Sequence, residues 1–537
     1  MRGNDHSPHS QAWASSKDMK SRARVRWYVV LAILVLLSSQ FSIIPVAAKD
    51  SNPPKVQSVL LDEAQQAPDS DFRVIVKRHK GDTGADSAVE EKGGKKQKEI
   101  AADGFVADVQ GQDIAQLAQD PSIDYISIDA PMQVNEVQEN LTDISQLKNL
   151  YPETVQATDV WDQGITGDGV GVAVIDTGMV LVKDFSGRNG DKPRIVAQQS
   201  FIDKKETKDH YGHGTHVAGV IGGDSWRADK EAQGKYVGIA PDSDLINLRV
   251  ADDNGQTYLS DVINAIEWVI ANRAQYNIRV INLSMTSTVP ESYHTSLLAA
   301  AAEHAWFNGI LVVVSAGNNG PNSMYFSPAD DPFVVTVGAT DSNGTAEAAD
   351  DWIAPWSSFG SNPDGITKPD VVAPGRYITS TLADHSHLQQ EYKNRIVDKK
   401  YIWMSGTSMS TAVVSGVAAL IFQAHPDWTN DQVKWVLEQT ATQLNVDPVS
   451  QGAGEVNAYA AVNYPATPQF ANQGLAINLN LVGPGGETVY DNAMPAGSAW
   501  SGSAWSGSAW SGSAWSGSAW SGSAWSGSAW SGSGDLQ

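Results

Sequence analysis

The 537-residue chain contains no cysteine. That excludes a disulfide framework, a zinc ribbon, an iron–sulfur cluster and a thiol nucleophile, though not export, so any catalysis must use other side chains. Positive charge is scarce as well: 37 Lys+Arg stand against 61 Asp+Glu, a formal net charge of −24. No basic face is available to neutralise a run of phosphates, which argues against nucleic acid as a partner. The hydrophobic share is 41%, too high for disorder throughout, and the length exceeds what one core usually holds. Two folded units plus appendages are expected.

One long apolar run, WYVVLAILVLL at 27–37, follows a segment carrying Arg2, Lys17, Lys20, Arg22, Arg24 and Arg26. Charge followed by an apolar stretch and then the small residues Val46-Ala47-Ala48 is the order of an export signal cleaved after Ala48. A retained anchor is the alternative, because 27–48 is nearly long enough to span a bilayer. A secreted, extracellular protein is the expectation.

Downstream, FRVIVKR (72–78), GFVADV (104–109) and YISID (125–129) read as strands and IAQLAQD (114–120) as a short helix, a small α+β unit. The charged, Gly-rich stretch 79–99 reads as an exposed insertion, and 130–150 as a polar linker suited to being cut. From 151 to about 463 the apolar runs VGVAVID (170–176), LINLRV (245–250), RVINLSM (279–285), ILVVVSA (310–316) and FVVTVGA (333–339) alternate with helical stretches at 259–274 and 295–307. Fully apolar strands separated by helices predict an α/β fold, a parallel sheet covered by helices on both faces. Chemistry then belongs at the carboxyl ends of the strands. From Gly497 the pentapeptide GSAWS repeats seven times, holding seven of the 18 tryptophans. It reads as a flexible tail, with surface attachment or membrane-interface contact through the indoles as the sharper alternative.

Three motifs fall at element ends: VAVIDTG (172–178) ends a strand in Asp176, HGTHVAG (213–219) opens a helix with His213, and GTSMS (406–410) opens another with Ser408. An imidazole to take a hydroxyl proton, a carboxylate to hold its tautomer and a hydroxyl at a helix N-terminus are the parts of a Ser–His–Asp triad. SAGNNG (315–320) adds Asn318 as an amide donor beside the Ser408 backbone N–H, an oxyanion hole in outline. Each motif alone is a common turn or cap; their joint order carries the reading.

With VGIAPDS (237–243), VINLSM (280–285) and SGTSMS (405–410) in the same order, residues 151–463 resemble the subtilisin-like serine protease family. The resemblance implies Asp176 as orienter, His213 as general base and then acid, Ser408 as nucleophile and Asn318 as oxyanion donor, with Ser284, Met285, Thr286, Ser315 and Gly317 lining the substrate cleft. It implies a secreted zymogen acting on protein or peptide substrates, with 72–129 as an inhibitory propeptide that is cut off within 130–150. The expected division is a signal over 1–48, a propeptide over 49–145, a catalytic domain over 146–465, a linker over 466–496 and the repeat tail over 497–537.

Two departures stand out. The family's Pro-His after the nucleophile is here Ala412-Val413, which reads as a structural change on the helix. Its Ser-Leu-Gly-Gly becomes Ser284-Met285-Thr286-Ser287, which narrows or reshapes the pockets before the cut, so specificity does not carry over. The chemistry requires no cofactor. Structural calcium has no recognisable loop, since Asp224, Asp229 and Glu231 read better as a solvated acidic stretch than as ligands. His210, His213 and His216 at i, i+3, i+6 fan around a helix and lack the HExxH glutamate, so His216 reads as a packed histidine and Asp209 as a helix-opening or loop carboxylate. The competing class is a non-catalytic attachment protein that keeps the fold.

Overall fold

The computed structural model describes residues 55–481 apart from 135, 140, 142–146, 188–192 and 229, all within one compact unit, Pro54–Gln537. The expected signal, the GSAWS tail and Asp229 lie outside the described residues.

The N-terminal part is a four-stranded antiparallel sheet in the order β2-β3-β1-β4, built from β1 (Asp71–Arg78), β2 (Lys95–Ile100), β3 (Gly104–Gln110) and β4 (Ile123–Ile128). Alternation along the strands makes two apolar faces. Val74, Val76, Phe105 and Val109 meet Leu60, Val89, Ile114 and Leu117 from three short helices, while Ile75, Val106 and Tyr125 face the body of the protein. Each fully buried Ile or Val side chain contributes roughly 1.5–3 kcal/mol.

The stretch 79–99 is not an exposed insertion. Gly84–Glu91 is a helix that buries Ala85 and Val89 on one face, and KKQKEI is the edge strand β2. Its lysines misled because an edge strand tolerates, and is protected by, outward charge. The short helix starts earlier than expected, at Gly111–Leu117.

The body holds an eight-stranded sheet. Its path is β14 (Trp352–Ile353), β13 (Val335–Asp341), β12 (Leu311–Ser315), β10 (Ile278–Leu283), β6 (Gly171–Asp176), β8 (Asp244–Arg249) and β7 (Ile195–Ser200), with Val371–Pro374 also pairing β13. All pairings are parallel except the short β14 edge. Helices cover both faces, His213–Gly222 and Thr407–Ala424 on one and Leu259–Asn272 and Leu297–Phe307 on the other. The Thr407–Ala424 helix is long and apolar enough to cross a membrane, but its residues 407–422 are all buried in this core. Ala412 and Val413 sit in that cluster, and Gly416 lets the helix approach Ile239, whose Cβ would lie 2.5 Å from an added methyl. Residues 466–481, expected to begin a linker, instead pack on the body: Ile477 and Leu481 join its core and the Asn478 N–H donates to Glu303.

The first sheet docks across the helix Leu259–Asn272. Asp129 takes the place of that helix's own cap, accepting the Ser260 N–H and hydroxyl, each at 2.9 Å. Lys98 Nζ donates to Asp261 at 2.5 Å, and Gln57 Nε2 to Glu291 at 2.9 Å. Part of the expected linker is a strand: β5 (Pro131–Val134) lies between β9 (Gln256–Tyr258) and β11 (Met285–Ser287), antiparallel to both.

Candidate active site

Asp176 is the last residue of β6, and its buried carboxylate accepts the His213 Nδ1–H at 2.8 Å (Oδ1) and 3.0 Å (Oδ2). His213 opens its helix after Gly212, whose φ of +116° suits only glycine. The helix start is held by Asp209: Oδ1 accepts from Gly212 N–H at 2.6 Å and from the Thr177 hydroxyl at 2.9 Å, and Oδ2 accepts from the Thr215 N–H and hydroxyl at 2.9 and 2.7 Å. The Thr177 hydroxyl in turn accepts the Gly214 N–H at 2.9 Å. The loop carrying Asp176 and the helix carrying His213 are thereby one hydrogen-bonded piece. Sequence reading left Asp209 as a helix-opening or loop carboxylate and missed this bracing; the signal was a carboxylate three residues before Gly212, the usual reach of a capping side chain.

Burial alone would push the His213 imidazole down, but the Asp176 carboxylate, as charge and as acceptor, with Glu136 and Asp209 nearby, outweighs it and raises the pKa above the ordinary value. Nε2 is buried without a hydrogen-bond partner among the described residues. An imidazole held this way is a proton acceptor aimed at whatever hydroxyl reaches it.

His216, one turn on, is locked neutral. Its Nε2–H is shared between the carbonyls of Ile378 and Ile402, each at 3.1 Å, and burial, then the neighbouring His213, takes its pKa down to about 3. His210 faces Glu206 at 3.2 Å, so the three histidines have three separate sets of partners.

The strand Tyr401–Met404, which carries the Ile402 carbonyl, runs into Ser405-Gly406-Thr407-Ser408, and Ser408 lies in the first turn of the long core helix. Its hydroxyl donates to the Ser284 carbonyl at 3.2 Å; the Ser284 hydroxyl returns a bond to the Ser408 carbonyl at 3.2 Å. The Ser408 hydroxyl is turned to Ser284, and the His213–Ser408 hydrogen bond is not formed in this state. Asn318 lies just past β12. Its Oδ1 accepts the Thr407 N–H and hydroxyl, both at 3.0 Å, which fixes Nδ2 as the donor end of the amide. The Gly317 N–H donates to the same hydroxyl at 3.2 Å, and Ser315 is the buried last residue of β12.

The cleft between β9 and β11 is filled by the chain itself. Val134 stands opposite Met285, Gln133 opposite Thr286 and Met132 opposite Ser287, and Val134 N–H donates to the Gly255 carbonyl at 3.2 Å. Beyond, Val137 N–H donates to the Ser405 carbonyl at 3.0 Å. Val134 and Val137 are thus both tied to the body, at Gly255 and at Ser405 three residues before Ser408, and Glu136 lies close enough to His213 for its charge to act on the imidazole. Thr286 and Ser287 are nearly buried against this strand.

In the acidic stretch after the His213 helix, Asp224 and Glu231 are the described carboxylates. Asp224 accepts the Trp226 N–H at 3.2 Å as a turn cap, and Glu231 is exposed.

A parallel α/β sheet that gathers a carboxylate, an imidazole and a serine hydroxyl at its carboxyl edge, with a peptide strand clamped beside them, defines a serine-type endopeptidase. The Peptidase S8 profile, described as the subtilase family, matches residues 167–456, and the chain belongs to that family. It is 37% identical over 334 residues to serine protease AprX of Bacillus subtilis, covering 60% of this chain and 72% of the relative. To subtilisin Savinase of Lederbergia lenta it is 34% identical over 308 residues, 57% of this chain and 96% of the relative. Fervidolysin from Fervidobacterium pennivorans, described as a keratinolytic enzyme related to subtilisin, shares the fold with a TM-score of 0.56 at 24% identity, covering 74% of this chain and 62% of that one.

Proposed function

We propose that the protein is a secreted zymogen of a serine endopeptidase that hydrolyses protein or peptide substrates through an acyl-enzyme on Ser408. His213 takes the Ser408 proton as the hydroxyl attacks the carbonyl carbon, and Asp176 holds the Nδ1–H tautomer and stabilises the imidazolium. Asn318 Nδ2 and the Ser408 backbone N–H stabilise the oxyanion. The imidazolium then protonates the leaving amine, and water repeats the cycle to release the acyl group. No cofactor is needed. Met285 and Thr286 hold the substrate backbone as an added strand, Ser284 flanks the nucleophile, and Ser315 and Gly317 line the adjoining wall.

The observation that carries the zymogen reading is β5. The leader's own strand pairs between β9 and β11, where a substrate backbone would lie, and Val134 and Val137 are tied to Gly255 and Ser405, which supports a scissile bond between Val134 and Val137. The leader acts as an intramolecular inhibitor, and the maturation cut falls in that window, inside the stretch 130–150 read from sequence as the place of the cut. The charge-then-apolar N-terminus supports export.

The test is incubation of the full chain, wild type beside Ser408→Ala, with intact-mass analysis over time and a fluorophosphonate probe. The wild type is expected to label and to lose the residues up to 134–136, while Ser408→Ala stays unlabelled and uncut. A folded wild type that neither labels nor shortens, or a Ser408→Ala chain that processes itself, rejects the assignment.

A further inference from the structure

Past the window of the cut, the chain crosses two arginines that the triad chemistry does not use. Glu139 Oε1 receives both Nε and Nη2 of Arg376, at 3.0 and 2.8 Å, and Arg376 Nη1 donates to Asp341 at 2.8 Å. Arg395 Nη2 donates to the Glu139 main-chain carbonyl at 2.9 Å. Arg395 is only 2% exposed, sandwiched with its guanidinium 4.0 Å from the Tyr392 ring and 4.7 Å from the Trp403 ring. Its Nε and Nη1 are buried without hydrogen-bond partners among the described residues, as is Glu139 Oε2. Glu136, beside Tyr392 and Arg395, leaves one oxygen unsatisfied too.

Burying a guanidinium with two unused donors costs stability unless a ligand satisfies them in another state. Among the described residues the arrangement is therefore unfinished in the uncut chain: Glu139 supplies one carboxylate and one carbonyl where the two guanidinium forks offer more. It is also out of keeping with a chain of net charge −24. Arginine forks on aromatic faces are suited to carboxylates, which they bind through paired N–H donors.

We propose that Arg376 and Arg395 form an acceptor for acidic residues on the leaving-group side of the cleft, so that the mature protease favours peptides with Glu or Asp three to five residues after the cut bond. This rests on the zymogen reading above, in which Glu139 occupies the acceptor until the segment withdraws. Arg376 keeps Asp341 on one edge and presents the other; Arg395 presents Nε and Nη1. A substrate lysine at the same place meets two fixed cations.

The test uses mature enzyme obtained from the full chain and internally quenched peptides. They share all residues before the bond and carry Glu, Gln or Lys at the third, fourth or fifth position after it. At one of these positions kcat/KM is expected to be about tenfold higher for Glu than for Lys, a ratio that shrinks with added salt. In Arg376→Gln the ratio falls towards one. The comparison of peptides on the wild type needs no variant, so a poorly folding arginine mutant leaves the question answerable. Hydrolysis of Glu, Gln and Lys peptides at equal rates by the wild type overturns the acceptor and leaves the protease assignment standing. No hydrolysis of any peptide, together with no fluorophosphonate labelling, overturns that assignment and the acceptor with it.

Discussion

Asp209 accepts the Thr177 hydroxyl at 2.9 Å, and through that bond the residue after Asp176 is tied to the helix that begins with His213. The carboxylate is fully buried and uses both oxygens on four donors, two of them backbone N–H groups of the helix start. Asp209→Asn keeps the shape but puts an NH2 group against donors. The expected outcome is a loss of about 1–3 kcal/mol in stability and a fall in kcat of roughly tenfold or more with little change in KM, since only the alignment of Asp176 and His213 is disturbed. Urea unfolding of Asp209→Asn in a Ser408→Ala background and steady-state kinetics in the active background check it. An equally stable variant would show that the bracing contributes nothing.

The pH dependence has a definite sign. His213 must be neutral to accept a proton, and its pKa is raised above the ordinary 6.5 chiefly by Asp176, against the opposite pull of burial. The acid limb of kcat/KM for the mature enzyme should therefore have its midpoint above 6.5 and fall with decreasing pH. Asp176→Asn removes the charge that raises it. The limb should move to lower pH while kcat drops by about 10⁴-fold, because the tautomer is no longer held. A wild-type midpoint at or below 6.5 contradicts the electrostatic account.

Asn318 is presented as a donor because Thr407 takes its oxygen twice, at 3.0 Å from N–H and hydroxyl. Removing the amide in Asn318→Ala should lower kcat by about 10²–10³-fold with KM almost unchanged, a range established on subtilisin itself. Thr407→Val, which lacks the hydroxyl, should show a smaller loss of the same kind. If Asn318→Ala affected KM alone, the amide would be a ground-state contact and not an oxyanion donor.

The sheet of the body was legible because its strands are fully apolar and separated by helical spacing, so that VAVID and LVVVS could only be buried on both faces. The placement of Asp176, His213, Ser408 and Asn318 at one edge followed from where their motifs fall. What escaped was long-range. PMQV alternates, with Pro131 and Gln133 exposed and Met132 and Val134 buried, yet four residues among polar neighbours are too few to declare a strand whose partners lie at 256–258 and 285–287. Lys95–Ile100 was hidden by its charge. Arg395 gave no local signal, because its burial depends on Tyr392, Trp403 and a segment more than two hundred residues upstream.

His216 joins the two halves of the site. Its single Nε2–H spans the carbonyls of Ile378 and Ile402, tying the His213 helix to the strand that delivers Ser408. At pH 7 His216→Leu removes that donor and leaves two buried carbonyls short, a loss of about 1–3 kcal/mol. The wild-type advantage is itself pH-dependent. In the fold the imidazole has a pKa of about 3, whereas in the unfolded chain it titrates near 6.5. Its contribution is complete above 6.5 and is lost as pH falls towards 3, because the unfolded chain then takes up a proton that the folded one refuses. By pH 4.5 the wild type should have given up about 2–3 kcal/mol relative to His216→Leu, enough to cancel or reverse the difference seen at pH 7. Urea unfolding of both chains in the Ser408→Ala background at pH 7 and 4.5 measures this. A difference that stays constant between the two pH values would mean that His216 is protonated in the fold, and the bridge to Ile378 and Ile402 would need a charged imidazole to explain it.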